Sequence, residues 1–203
     1  MDGAVKVVAI VGSYVRGGVV DQVVDEVLAG VVAAGGSAEK LYLLDTHVEF
    51  CTNCRLCTQE PGMARGICPI ADEMSRVLDL VEGCQALVLA SPTNFGSVTA
   101  VTKRFVERLV CYAYWPWGTP APKTRSQERP RRAVLVASSA APAFMARLFT
   151  PVLKTLRQSA DLLGARCVGT VFVGFAARQE RQGAGKRALK RARLLGEKLV
   201  RER

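Results

Sequence analysis

"VKVVAIVGSYVRGG", from Val5 to Gly18, is the stretch on which the reading of this chain turns. Its apolar run from Val5 to Val11 is interrupted only by Lys6. A strand with one wet face would alternate, so a nearly continuous run predicts a strand buried on both faces. Gly12 closes the run, and Gly17-Gly18 precede a segment, to about Ala34, whose apolar residues recur at helical spacing. Gly35-Gly36 supplies the stop. Strand, glycine turn and helix together make the opening unit of an α/β fold.

The unit repeats along the chain. "EKLYLLD" (Glu39–Asp45), "QALVLASP" (Gln85–Pro92), "RRAVLVASSA" (Arg131–Ala140) and "ARCVGTVFVGF" (Ala165–Phe175) read as four further strands. Between them, Pro69 is placed to open a helix with Asp72 and Glu73 in its first turn. "SVTAVTKRFVERLVCY" (Ser97–Tyr112) puts Val98, Val101, Phe105 and Leu109 on one helical face, and Phe144 to Leu163 reads as one helix. A last basic helix closes the chain. The expected architecture is a flavodoxin-like, doubly wound parallel sheet of five strands in the order 2-1-3-4-5, with helices on both faces. Residues 1–203 read as one domain, with a cysteine-rich loop at 51–69 and an aromatic and basic insertion at 112–132.

Composition narrows the classes. The chain is 49% hydrophobic, which suits a globular core, and its apolar runs are strand-length, too short to insert in a bilayer. The first residues read as a strand and not an export signal, which leads to the expectation of a reducing cytoplasm. There, clustered cysteines are expected to bind metal or do redox chemistry. The net charge of +10 is concentrated in "KTRSQERPRR" and in the last helix, where Ala188, Ala192, Leu195 and Leu199 form an apolar stripe and the cations mostly face elsewhere. A solvated helix face is the expectation there. Nucleic acid is not the expected partner, because no finger, helix-turn-helix or aromatic RNA-binding signature accompanies the charge.

In such a sheet a ligand sits at the carboxyl ends of strands one and three. After strand one, "GSYVRGGVV" offers the Ser13 hydroxyl, the Arg16 guanidinium and the turn at Gly17 and Gly18, at a helix start suited to an anion. It matches neither the phosphate-binding loop of nucleotide triphosphatases nor the dinucleotide fingerprint. After strand three, "SPTNFGSVTAVTKRFVERL" offers Pro92, polar Thr93 and Asn94, the apolar Phe95, and Gly96, where backbone can approach a flat ring. Ser138 and Ser139 lie at the end of strand four.

These loops, taken with the cysteine loop, make the chain resemble the NADPH-dependent FMN reductase and iron–sulfur flavoprotein family. The most specific element is a cysteine-rich loop followed by S-P-x-x-x-G-S-V-x-A-x-x-K-R-F-x-x-R. The resemblance implies FMN as cofactor. Its phosphate would lie on Ser13, Arg16, Gly17 and Gly18, its ring on Pro92, Thr93, Asn94, Phe95 and Gly96, with Ser138 and Ser139 as a third loop. It also implies NAD(P)H as electron donor and a flavin, quinone, metal or protein as acceptor, in a homodimer or homotetramer. The chain departs from the family where Val19 and Val20 replace polar residues beside the phosphate, where Asp21 adds a negative charge, and at Asn94.

The cysteines follow C-x2-C-x2-C-x10-C-P, as Cys51, Cys54, Cys57 and Cys68 before Pro69. An iron–sulfur cluster, a structural zinc and four thiols without metal all remain open. The long last gap departs from ferredoxin-like runs, and the third packed cysteine departs from paired zinc motifs. Cys84, Cys111 and Cys167 read as small core residues. His47, the only histidine, reads as a surface or packing residue, which leaves no acid–base triad. Tyr112, Tyr114, Trp115 and Trp117 are expected to serve a subunit interface or a lid. The functional expectation is an FMN-dependent NAD(P)H oxidoreductase. The alternatives are a non-catalytic electron carrier or assembly module and a basic nucleic-acid-associated protein.

Overall fold

The computed structural model describes residues 4–180 and 182–202. Strands β1 (Lys6–Val11), β2 (Ser37–Tyr42), β3 (Ala86–Pro92), β6 (Arg131–Ser138) and β7 (Ala165–Val173) form one five-stranded sheet in the order β2-β1-β3-β6-β7. Every pair within it is parallel, so the order is the expected 2-1-3-4-5. Two short strands, β4 (Ala113–Tyr114) and β5 (Lys123–Thr124), make a separate antiparallel hairpin.

The period of two along each strand divides the core between the two faces. Val8, Ile10, Leu87, Leu89 and Leu135 point to the side covered by α2 (Met74–Glu82), α3 (Ala100–Arg108) and α5 (Val152–Leu162). Val7, Ala9, Val11, Val88 and Val134 point to the side covered by α1 (Val19–Ala33) and α6 (Lys186–Arg201). Helix α1 is rich in β-branched valine, a weak helix former. Burial of Val20, Val23, Val24, Val27 and Val31 at helical spacing outweighs that preference. Helix α6 buries Ala192, Gly196 and Leu199, and Arg193, Lys198 and Arg201 pair with Glu26, Glu202 and Glu197.

Three local expectations change. The helix after the cysteine loop starts at Met74, because Asp72 is drawn into a clamp: Oδ1 accepts the Met74 N–H (2.9 Å) and Oδ2 the Glu49 N–H (2.8 Å). Pro69 lies upstream in irregular chain. The segment 144–163 divides into α4 (Ala143–Phe149) and α5, since Thr150 is extended (φ −120°, ψ 140°) ahead of Pro151. Helix α3 ends at Arg108 and continues as a 3-10 turn over Leu109–Tyr112.

One junction positions everything at the carboxyl edge. Gly12, the residue after β1, donates its N–H to Ala90 O (2.8 Å) and receives the Thr99 hydroxyl on its carbonyl (2.6 Å). Thr99 is the buried N-cap of α3; its Oγ1 lies 2.8 Å from that of Thr102. A Cβ on residue 12 would fall 1.7 Å from Thr102 Oγ1, so only glycine allows this approach. Gly12→Ala is therefore expected to lower the unfolding free energy by about 2 kcal/mol, measured as a fall in the urea midpoint. Adding Thr102→Ala should recover part of the loss, and an unchanged midpoint in Gly12→Ala would contradict the close approach.

Candidate active site

The loops leaving β1, β3, β6 and β7 meet in an open cleft of about 810 Å³. Ser13, Arg16, Gly17, Gly18, Pro92 and Ser138, all expected from the sequence, lie in its lining. In the first loop the Ser13 hydroxyl accepts the Val15 N–H and lies equally close to the Val15 carbonyl (3.2 Å each), which fixes a tight turn. Gly18 is the N-cap of α1 and carries no capping side chain, so the start of the helix presents its N–H groups without an internal acceptor side chain from that position. Val19 and Val20 also line the cleft.

The lining stops short of Asp21. That carboxylate is buried and points back into the fold. Oδ2 accepts the Gly17 N–H (2.6 Å), and Oδ1 accepts the Tyr42 hydroxyl (2.9 Å) and Lys40 Nζ (2.6 Å). Burial alone would raise the Asp21 carboxyl, but Lys40, the Gly17 N–H and Tyr42 outweigh it and hold it below the usual range. Asp21 thus shapes the loop from behind, and its charge is already met. Arg16 is also committed, since its guanidinium pairs with Asp45 and lies 4.3 Å over the Tyr42 ring.

The second loop is a tight turn. Asn94 and Ser97 exchange backbone hydrogen bonds (2.8 and 3.0 Å), and Phe95 and Gly96 both have positive φ (44° and 75°). A bulky residue at positive φ is strained, and Phe95 is also fully exposed. Thr93, Asn94, Phe95 and Gly96 stand on the loop beside the cleft and outside its lining. Thr93 donates its N–H to Ser138 O (2.7 Å), while its Oγ1 is buried with no partner. Ser139 is occupied by its own loop and the neighbouring strand: its N–H donates to Val173 O at the end of β7 (2.9 Å), and its Oγ accepts the Ala141 N–H (3.1 Å). Sequence reasoning missed one wall, formed by Ala176–Glu180 and Gln182. Its signal was positional, as the turn leaving the fifth strand at the same sheet edge.

Cys51, Cys54, Cys57 and Cys68 line a second, small cavity together with Arg108. Positive φ at Asn53 (54°) and Arg55 (60°) winds the first turn. The Leu56 N–H, then the Thr52 hydroxyl, lower the Cys54 thiol, whereas burial and then the other three cysteines raise Cys57. Arg108 Nη2 lies 3.4 Å from Cys68 Sγ, and the guanidinium is paired with buried Asp72. Among the described residues, no three Cys, His, Asp or Glu side chains gather around a single ion. The exposed His47 pairs with Glu49 (2.8 Å), outside this cavity's lining.

The ten-residue gap before Cys68 is closed by an arginine. Buried Arg125 donates to the carbonyls of Cys111 (3.1 Å), Cys57 (3.1 Å), Glu60 (2.9 Å) and Gly62 (3.2 Å). Gly66 packs so near Cys57 O that a Cβ would sit 1.7 Å from it. The aromatic segment belongs to the same assembly. Arg55 lies 3.7 Å from the Trp115 ring and 4.3 Å from the Trp117 ring, and donates to Trp115 O (2.6 Å). Neither tryptophan reaches the lining of the first cleft. Cys84 and Cys111 are core residues, and Cys167 is half-buried.

A doubly wound parallel sheet with an open cleft over its switch point defines a flavodoxin-like fold. The chain belongs to the NADPH-dependent FMN reductase family, whose profile matches residues 5–179. It is 32% identical over 111 residues to an iron-sulfur flavoprotein of Archaeoglobus fulgidus, covering 55% of this chain and 48% of the relative. An iron-sulfur flavoprotein of Methanocaldococcus jannaschii is 31% identical over 103 residues, 51% of each chain. The chain thus spans about half the length of the curated relatives it matches. In fold it is similar to an NAD(P)H:quinone oxidoreductase from Methanothermobacter marburgensis, with TM-score 0.72 and 17% identity over 97% of this chain and 100% of that one. An FMN-dependent NADH-azoreductase from Bacillus anthracis, solved with FMN, gives 0.69 and 14% over 97% of each.

Arg125→Ala should strand several buried carbonyls and lower stability by about 2 kcal/mol. Labelling of Cys57 and Cys68 by a thiol reagent under native conditions should speed up, followed by mass spectrometry. Unchanged labelling would show that the loop holds its shape without this strut.

Proposed function

We propose that this chain binds FMN in the cleft at the carboxyl edge and works as an oxidoreductase taking electrons from NAD(P)H. The observation that supports this most directly is the meeting of the α1 start with Pro92 and Ser138 in one cleft, bordered by the unpartnered buried Thr93 hydroxyl. The donor set suits a phosphorylated heteroaromatic ligand. N–H groups at Gly18 to Val20 offer an anion site, Val19 and Val20 offer apolar contact, and Thr93 Oγ1 lacks the hydrogen-bond partner that a ring edge would supply. When bound, FMN supplies two-electron acceptance from the nicotinamide and onward delivery to an acceptor. The protein's part is to orient the ring, neutralise the phosphate and offer N–H groups where negative charge develops.

The acceptor in this reading is a free flavin, a quinone, a metal or a redox protein. Cys51, Cys54, Cys57 and Cys68 would hold an iron–sulfur cluster. They line one cavity, Arg108 reaches Cys68, and the curated relatives carry iron-sulfur in their names. The cluster reading stands ahead of zinc because the curated relatives are named iron-sulfur flavoproteins and because three sulfurs packed at two-residue gaps depart from the two separated pairs of structural zinc motifs.

The test is purification without added cofactor, then titration with FMN and NADPH under anaerobic conditions. Bound flavin with NADPH oxidation, and iron with acid-labile sulfide in the wild type but not in Cys51→Ser/Cys54→Ser, is the expected result. Flavin binding without nicotinamide oxidation would make the chain an electron carrier instead. A protein that retains no FMN at micromolar concentrations would overturn the assignment.

A further inference from the structure

The wall that sequence reasoning missed carries its own charge. The segment after β7 is tied down at both ends. At its start the Phe175 N–H donates to Ala141 O (3.1 Å) and the Ala176 N–H to Ser139 O (2.9 Å), which straps it to the loop after β6. At its far end the Ala184 N–H donates to Gln22 Oε1 (2.9 Å), while Gln22 Nε2 donates to Gly17 O (2.7 Å). One side chain from α1 therefore joins this segment to the loop that begins at Ser13. Between the two ties, Arg178 lines the cleft.

Arg178 is held differently from Arg16. Its backbone N–H donates to Gln182 Oε1 (2.8 Å), and its guanidinium lies 3.7 Å over the ring of Phe175. Phe175 is itself at positive φ (55°), a strained backbone for an aromatic residue, and presents its ring outward. Stacking leaves the guanidinium's edge N–H donors available in the plane. No carboxylate pairs with Arg178 among the described residues, although Glu180 also lines the cleft. Arg16 is paired with Asp45 at the surface. Of the two guanidiniums among the described residues of this lining, Arg178 is the one without a carboxylate partner.

We infer that Arg178, braced on Phe175, receives the phosphate monoester of a nucleotide bound in this cleft, a role that falls to Arg16 by motif position. The inference rests on the flavin reading for which phosphate arrives first. The terminal phosphate of FMN and the 2′-phosphate of NADPH share the same chemistry, a dianion suited to a two-pronged guanidinium. Apoprotein of wild type, Arg178→Gln and Arg178→Lys would be titrated with FMN and riboflavin by flavin fluorescence, and with 2′,5′-ADP and 5′-AMP by calorimetry. Arg178→Gln should weaken FMN by roughly tenfold or more, with riboflavin changed by less than about twofold and Arg178→Lys intermediate. If FMN is unaffected and 2′,5′-ADP weakens selectively against 5′-AMP, Arg178 reads the nicotinamide's phosphate, which also supports the inference. A variant that changes neither phosphorylated ligand, or weakens ligands with and without the phosphate alike, overturns it. A wild type that binds no flavin removes the flavin reading alone, and the 2′,5′-ADP comparison then decides the role of Arg178.

Discussion

The Thr99 hydroxyl on the Gly12 carbonyl is the bond on which the functional edge of this protein depends. Parallel pairing brings the ends of β1 and β3 side by side, but it leaves the direction of the departing loops free. Thr99 removes that freedom. As N-cap of α3 it fixes the helix start, and with the same oxygen it holds the turn out of β1. The Thr99 N–H in turn donates to Ser91 Oγ (3.1 Å). Because these groups are buried, each lost partner would leave a polar atom unsatisfied, and the junction is correspondingly rigid. A cleft built on it can keep its shape before any ligand arrives, which limits the ordering cost of binding.

The second candidate site is built by another route. The cysteine loop has little regular structure, and arginine side chains satisfy its carbonyls. Arg125 spans three of them and reaches Cys111 O besides, Arg55 is clasped by two tryptophans, and Arg108 connects Asp72 to Cys68. Arg131 does the same work nearby, donating to Val81 O (2.9 Å) and Glu82 O (2.7 Å). Part of the +10 charge is therefore structural. Guanidiniums suit this role because five fixed donors can serve several carbonyls at once. A basic composition read only as an outward-facing field overlooks these buried donors.

Fold and strand order were legible in the sequence because burial on both faces leaves continuous apolar runs, and Val5–Val11 announces the first of them. The two loops beside the switch point were legible for the same topological reason. Less visible were features set by contacts distant in sequence. The helix break at Thr150 was signalled by Pro151, but the late start of α2 depends on Asp72 meeting Glu49 and Arg108, which no local pattern reveals. Val19, Val20 and Asp21 looked hostile to a phosphate. The structure turns Asp21 inward to Lys40 and Tyr42, a partnership across 19 and 21 positions that the sequence alone does not show. The aromatic segment was read as interface or lid, yet Trp115 and Trp117 brace the cysteine loop through Arg55.

Hydrogen–deuterium exchange of the full chain, with and without FMN, tests most directly whether the tied loops form one nucleotide shelf. Added FMN should slow exchange together at residues 13–20, 92–96 and 176–180. The separate groove lined by Lys103, Thr155 and Asp161 should be unchanged. Protection confined to that groove, or slowing at only one of the three loops, would contradict a shared shelf at the ends of β1 and β3.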